Sequence, residues 1–292
     1  APIAAGISEK TGFAMSVCIA AVVCGAMFGD NLSMISDTTI AAVKTQGCEM
    51  KDKFRENFRI VLPAALVTVV LFWIVTRDGS HEMTGALPYN AWQVLPYVLV
   101  LVGALIGINV FVVLVTGTVT SLVIGVATGS LAVGEMFSAV GEGVTGMYDI
   151  TVISIVVAGI VSLVREYGGI QFILGLIRKS IRGKRGAEAG IAGLALLVDL
   201  CTANNTVAIV MAGPIAKEIS EEFQVSPRRS ASLLDIFTSV GQGLIPYGAQ
   251  LLSAASLTGL TPFEIIPHLY YPVLMAVSAV LFIIFRKSRI EG

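Results

Sequence analysis

The sequence predicts an all-α polytopic membrane protein with about seven transmembrane spans, one re-entrant hairpin and helices interrupted within the bilayer. Three observations lead there. Hydrophobic residues fill 55% of the 292 positions and charged residues 13%, about half the roughly 25% usual in soluble domains, and mean hydropathy is +0.84. Apolar runs close to the ~20 residues that cross a bilayer recur along the chain. Acidic and polar residues sit inside some of those runs, where an ionised Asp at the bilayer centre costs about 2.5–3.5 kcal/mol.

Acidic and basic residues nearly balance, 20 against 19, for a net charge of −1, which removes nucleic acid from the expected partners. Their placement says more. Basic residues cluster at Lys44–Arg59, Arg178–Arg185, Arg228–Arg229 and Arg286–Arg289, while Arg77–Trp92 and Leu131–Asp149 are almost free of them. The positive-inside bias puts the first set in the cytoplasm and the second outside. Cys18, Cys24, Cys48 and Cys201 lack CxxC spacing and read as small core residues. The chain starts at Ala1, and Ala1–Gly12 reads as the end of a preceding element, so an N-terminally truncated chain is expected.

The first span begins near Phe13, is interrupted at Gly29–Asp37 and ends near Lys44. Cys48–Arg59 is charged and amphipathic, with Met50, Phe54 and Phe58 on one face, and is expected to lie along the inner membrane surface. Ile60–Thr76 forms the second span, with Trp73 as its interfacial anchor. Gln93–Gly129 carries no charge and accommodates two spans turning near Gly107–Asn109. Its glycines, Gly103, Gly107, Gly117, Gly125 and Gly129, suit close helix packing. Leu131–Asp149, with Glu135 and Glu142, reads as a polar outer connection and Ile150–Val164 as a short span.

Ala187–Ile219 lies between two basic linkers. Two cytoplasmic flanks require this segment to enter the membrane and return, with the polar patch Asp199–Thr206 at its tip. Ala231–Leu257 is interrupted at Ser239–Gly248, where glycines and Pro246 break the helix and free backbone carbonyls. A last span ends at Phe285. The two broken spans run in opposite directions, the pattern of an inverted-repeat transporter whose breaks meet near the midplane. Residues 1–292 thus read as a single membrane-embedded domain: 1–59 the first broken span and amphipathic linker, 60–186 spanning helices, 187–292 the hairpin, second broken span and last helix.

The chemistry-bearing residues concentrate at these interruptions. At the first, Asp30 and Asp37 supply carboxylates, while Asn31, Ser33, Ser36, Thr38 and Thr39 add the oxygens that small hard cations prefer. A partly desolvated carboxylate holds a proton and releases it when a cation arrives, so competition for one site suffices for exchange. Helix capping is the competing role, above all for Asp37. At the second, Asp199, Thr202, Asn204, Asn205, Thr206, Gln242 and Pro246 form a candidate second ion or substrate site, with Gln250 flanking the same break. Hairpin-tip capping and polar helix packing are the alternatives there. Asp235 reads either as a further buried carboxylate or as a partner of Arg228 or Arg229. His81 and His268 fall in outer linkers. The sequence shows no nucleophile–base–acid set, phosphate loop or metal-ligand cluster, so an enzyme, a cofactor or a resident metal is not expected.

The run Gly29-Asp30-Asn31-Leu32-Ser33-Met34-Ile35-Ser36-Asp37-Thr38-Thr39 resembles the signature of the NhaC-type sodium/proton antiporter family. Thr202–Thr206 looks like the Asn-Thr hairpin tip of the wider ion-transporter superfamily, and Gly243–Pro246 like the broken helix that follows it. The resemblance implies a secondary transporter exchanging sodium ions for protons, with two hairpins of which the first would precede Ala1. Relatives that couple an amino acid or carboxylate to sodium or protons supply the alternative, and a non-transporting membrane scaffold is a minor third. The expected setting is a bacterial inner membrane, crossed several times, with lipid, Na+ and H+ as partners; whether copies form a homo-oligomer is left open.

Overall fold

The computed structural model describes residues 2–33, 36–77, 90–106, 108–146, 148–169, 172, 175 and 181–285. The basic cluster Arg286–Arg289, residues 176–180 of the preceding basic linker, and residues 78–89 with His81 lie outside the described residues. The described residues form α-helices and short 3-10 turns, without a strand. They fall into two compact units, Ala1–Glu82 with Asp149–Gly292, and Met83–Tyr148.

α1 (Pro2–Thr11) leads into α2 (Met15–Asn31), which stops where Leu32 leaves helical geometry. α3 (Asp37–Gln46) restarts under Ser36, whose hydroxyl accepts the Thr39 N–H at 3.3 Å, so Ser36 and not Asp37 is its N-cap. The helix is therefore interrupted where the polar run predicts, with Met34 and Ile35 outside the described residues.

α4 (Met50–Thr76) runs unbroken, which corrects the expected division at Arg59. Cys48–Arg59 does not form a separate surface helix. Its first turns bury Lys53, Glu56 and Asn57 and expose Phe58, the reverse of the expected orientation, because partners for the polar groups stand inside. The apolar half behaves oppositely. Leu66, Val69, Val70 and Trp73 are exposed, and only 22% of the most apolar stretch is buried, as for a helix facing lipid.

In the second unit, α5 (Leu95–Ile106) packs on α6 (Val110–Ala127). Asn109 caps α6 by accepting the Phe111 N–H at 2.9 Å, placing the turn where the sequence puts it. Gly103 permits the approach, since a Cβ there would lie 3.1 Å from Val113 Cγ2. Gly129 serves differently, as a turn residue with φ 73°. The segment Leu131–Asp149 is not a plain connection: a 3-10 turn at Val133–Glu135 leads into α7 (Met136–Gly146).

α8 (Tyr148–Glu166) is followed by a helical hairpin, α9 (Gly183–Thr202) and α10 (Asn205–Glu222), packed on one another. The reversal takes two residues. Ala203 adopts φ 48°, and Asn204 caps α10 by accepting the Val207 N–H at 3.0 Å.

α11 (Pro227–Leu244) begins with proline at its first position. It ends because Ile245, preceding Pro246, is pushed to extended geometry (φ −77°, ψ 123°). α12 (Ala249–Thr258) follows. The second break is thus Ile245–Gly248, shorter than the predicted Ser239–Gly248; Ser239 to Gly243 stay helical and buried. α13 (Pro262–Ile265) and α14 (Tyr270–Phe285) are the last described helices, bent by 51° at the break between them. Among the described residues, α4 alone is long and apolar enough to cross a membrane by itself, and α13 with α14 qualifies as a bent pair. α2 is apolar but shorter.

α11 is the hub. Every residue from Arg229 to Gly243 is buried, and the helix packs against α2, α3, α4, α9, α10, α12 and α14. It is nevertheless rich in polar side chains: Arg229, Ser230, Ser232, Asp235, Thr238, Ser239 and Gln242. Small residues of the hairpin, Ala195, Ala208, Ala212 and Ala216, let the surrounding helices come close.

Candidate functional site

Three elements bring acidic and amide groups to one place: the end of α2, the start of α3 and the first half of α4, all against α11. At the centre, Lys53 Nζ donates to Asp235 Oδ2 at 2.7 Å and to Thr39 Oγ1 at 2.6 Å. Asn57 Nδ2 donates to the same Asp235 oxygen at 2.7 Å and to the Asn31 carbonyl at 2.9 Å. Ser232 donates to Asn57 Oδ1, and Asn31 Nδ2 donates to Ser239 Oγ at 2.8 Å. Lys53, Asn57, Asn31 and Asp235 are each at most 1% exposed. Lys53 is placed by the same turn of α4 that carries Asn57, one helical turn apart, so both reach the same face of α11.

Asp30 lies at the rim of this cluster, half-buried. Its Oδ2 accepts from Thr38 Oγ1 at 3.4 Å, and Thr38 in turn meets Ser36 Oγ at 3.1 Å. Asp30 is within electrostatic reach of Asp235, Lys53 and Asp37. The Ser33 hydroxyl accepts the Ser36 N–H at 3.1 Å, tightening the break. Asp37 points elsewhere. It is exposed, and its Oδ2 accepts the Thr206 hydroxyl at 2.6 Å, tying the first break to the hairpin tip.

The predicted second set is gathered less tightly. Asn204 Oδ1 is engaged as the helix cap, Asn205 opens α10, and Thr202 Oγ1 donates to the Asn204 carbonyl at 3.3 Å. Asp199 is fully buried on α9, and neither of its oxygens has a hydrogen-bond partner among the described residues. It faces Gly241 of α11, where a Cβ would sit 2.5 Å from Asp199 Oδ2. Gln242 Oε1 and Gln250 Nε2 also lack partners among the described residues. Pro246 sets the break, and Tyr247 beside it donates to the Leu200 carbonyl at 2.6 Å, linking that break to the end of α9.

Sequence reasoning missed Lys53, Asn57, Ser232 and Ser239 as members of the site, and left Asp235 open. The pairing of Asp235 with Arg228 or Arg229 is corrected. Arg229 instead donates to Glu56 at 3.2 Å, to Glu188 at 3.0 Å and to the Phe282 carbonyl at 3.2 Å, with its guanidinium 4.2 Å from the Phe282 ring centroid. This second buried charge cluster joins α4, α9, α11 and α14. Beside the main site, a cavity of about 500 Å3 between α2, α4 and α14 is walled by Cys24, Phe28, Phe72 and Tyr271, a lining that suits hydrocarbon and not an ion. No group of three or more His, Cys, Asp or Glu able to hold a metal occurs among the described residues.

Charged and amide groups buried at the centre, and Leu, Val, Phe and Trp exposed outside, define a helical integral membrane protein with a polar interior. Residues 84–287 match the model of the Na+/H+ antiporter family, and the chain belongs to that family. It is 24% identical to the Na(+)/H(+) antiporter NhaC of Bacillus subtilis (strain 168), covering 91% of this chain and 66% of that protein. Identity to the Na(+)/H(+) antiporter NhaC of Alkalihalophilus pseudofirmus is 22%, over 95% of this chain and 66% of that protein. The malate-2H(+)/Na(+)-lactate antiporter of Bacillus subtilis (strain 168) is 20% identical over 90% of this chain and 63% of its own length. The chain therefore spans about two thirds of the length of the curated relatives it matches, 66% of the first two. No solved structure matches.

Proposed function

We infer that the protein belongs to a secondary transporter that exchanges sodium ions for protons. The observation that carries this reading is the junction of Asp30, Asn31 and Thr38 at the α2–α3 break, against the buried Lys53–Asp235 pair, in a chain of the Na+/H+ antiporter family. Interrupted helices supply oxygen ligands and polar backbone inside a membrane, where regular helices cannot. Sodium and a proton compete for the Asp30 carboxylate, with Asn31, Ser33, Ser36, Thr38 and Thr39 as neighbouring oxygens. Asp37 joins this break to the tip at Asn204, Asn205 and Thr206. Asp199, Thr202, Gln242 and Pro246 belong to a second ion or substrate site at the other break. Neither an enzymatic step nor a cofactor enters this account.

The expected setting is a bacterial inner membrane, with about seven spans, a re-entrant α9–α10 hairpin and the two breaks related as an inverted repeat. A second reading, coupled movement of an organic carboxylate, is favoured by the relative named as a malate-2H(+)/Na(+)-lactate antiporter. The two separate cleanly in proteoliposomes of the full-length protein. A sodium pulse moves protons without any organic solute if exchange is the activity. Strict dependence on added lactate or malate replaces it by the second reading.

A further inference from the structure

Two buried acceptors at the main site have no donor among the described residues: Asn31 Oδ1 and Asp235 Oδ1. Their hosts are nearly without solvent contact, at 1% exposure each. A buried oxygen without a donor is destabilising, and a charged one more so. Two such atoms together call for a positive partner. Both hosts bind the same Asn57 amide: its Nδ2 donates to the Asn31 backbone carbonyl at 2.9 Å and to Asp235 Oδ2, the other oxygen of that carboxylate, at 2.7 Å. The Asn31 side chain also reaches Ser239, one helical turn beyond Asp235 on α11.

The other Asp235 oxygen is already occupied by Lys53 and Asn57. Around the gap stand the carboxylates of Asp30 on α2 and Asp235 on α11, the Lys53 ammonium on α4 and the Tyr271 hydroxyl on α14. Lys53 is also within electrostatic reach of Cys48, and Asp37 is exposed to solvent. Two carboxylates against one fixed ammonium leave one negative charge. One monovalent cation neutralises it. A divalent cation would leave an excess positive charge in a poorly solvated interior, which is strongly unfavourable.

Deepening the exchange reading, we propose that Asn31 Oδ1 and Asp235 Oδ1 are direct ligands of the transported monovalent cation, and that Lys53 is the fixed counter-charge that makes the site reject divalent ions. Lys53 does so by holding half of the Asp235 carboxylate and cancelling one unit of its charge. Without it, two unit charges and oxygen ligands describe a site for Ca2+.

The test is equilibrium binding of radioactive Na+ to the purified full-length protein, with Ca2+ as competitor. The wild type binds Na+ and ignores Ca2+ at comparable concentration. Asp235→Asn loses Na+ binding, and Asn31→Ala weakens it on the order of tenfold while still rejecting Ca2+. Lys53→Gln is displaced by Ca2+ at a concentration lower on the order of tenfold. Asn31→Ala leaves the ion pair intact, so it decides the ligand assignment even if Lys53→Gln fails to fold in a melting assay. Wild-type Na+ affinity in both Asn31→Ala and Asp235→Asn overturns the ligands, and a wild-type Na+/Ca2+ ratio in Lys53→Gln overturns the counter-charge. A wild type that binds Na+ with these variant effects yet moves no protons contradicts the exchange reading while supporting this site.

Discussion

Lys53 of α4 and Asp235 of α11 meet at 2.7 Å, each 1% exposed, in the middle of a protein whose surface is apolar. An ion pair in such a place is a weak source of stability, because desolvation offsets most of the attraction. Its worth lies in what it fixes. It holds α4 against the hub helix beside the first break, and it sets the charge of the space around Asp30.

The Arg229 cluster obeys the same physics with a structural outcome. Arg229→Met removes the buried cation that Glu56 and Glu188 share, at a cost of about 3–5 kcal/mol. A marked fall in the melting temperature in detergent is expected; an unchanged melting temperature contradicts the assignment.

Gly241→Ala places a methyl group against the Asp199 carboxylate, 2.5 Å from Oδ2. Overpacking of this kind costs about 1–3 kcal/mol. The penalty shrinks in an Asp199→Ala background, where the oxygen is gone. Equal penalties in the two backgrounds, measured by thermal unfolding, show that α9 and α11 do not meet there.

Asp37→Ala and Thr206→Val remove opposite ends of one 2.6 Å hydrogen bond. Their effects on exchange rate are non-additive, with a coupling of at least about 0.5 kcal/mol in a double-mutant cycle. Additive losses place the two residues in independent roles.

Gly183→Cys and Ser226→Cys, introduced after replacing the four native cysteines, mark the outer ends of the hairpin and its linker. Both are labelled from the same membrane side if α9 and α10 enter and return. Labelling from opposite sides makes the pair a full crossing and removes the re-entrant hairpin.

The first break was legible because Gly29–Thr39 interrupts an apolar run with residues that cap, turn and ligate, all within eleven positions of sequence. The hairpin was legible for the same local reason. The main ion pair was not, since Lys53 and Asp235 are 182 residues apart and Lys53 sits in a charged run that reads as a surface helix. Amphipathicity identifies two faces of a helix but not which one meets protein. In a membrane the apolar face of α4 turns outward, and Lys53, Glu56 and Asn57 turn in. The second break was drawn too long because glycines were read as breakers. Gly241 and Gly243 remain helical, for there the missing side chain admits Asp199 and Met27, and the pre-proline Ile245 ends the helix.

The most direct test of the account compares wild-type and Asp30→Asn full-length protein in proteoliposomes, following internal pH after a sodium pulse with no organic solute. The account predicts rapid sodium-driven proton movement in the wild type and none in Asp30→Asn. Undiminished exchange in Asp30→Asn, or no proton movement in the wild type, contradicts it.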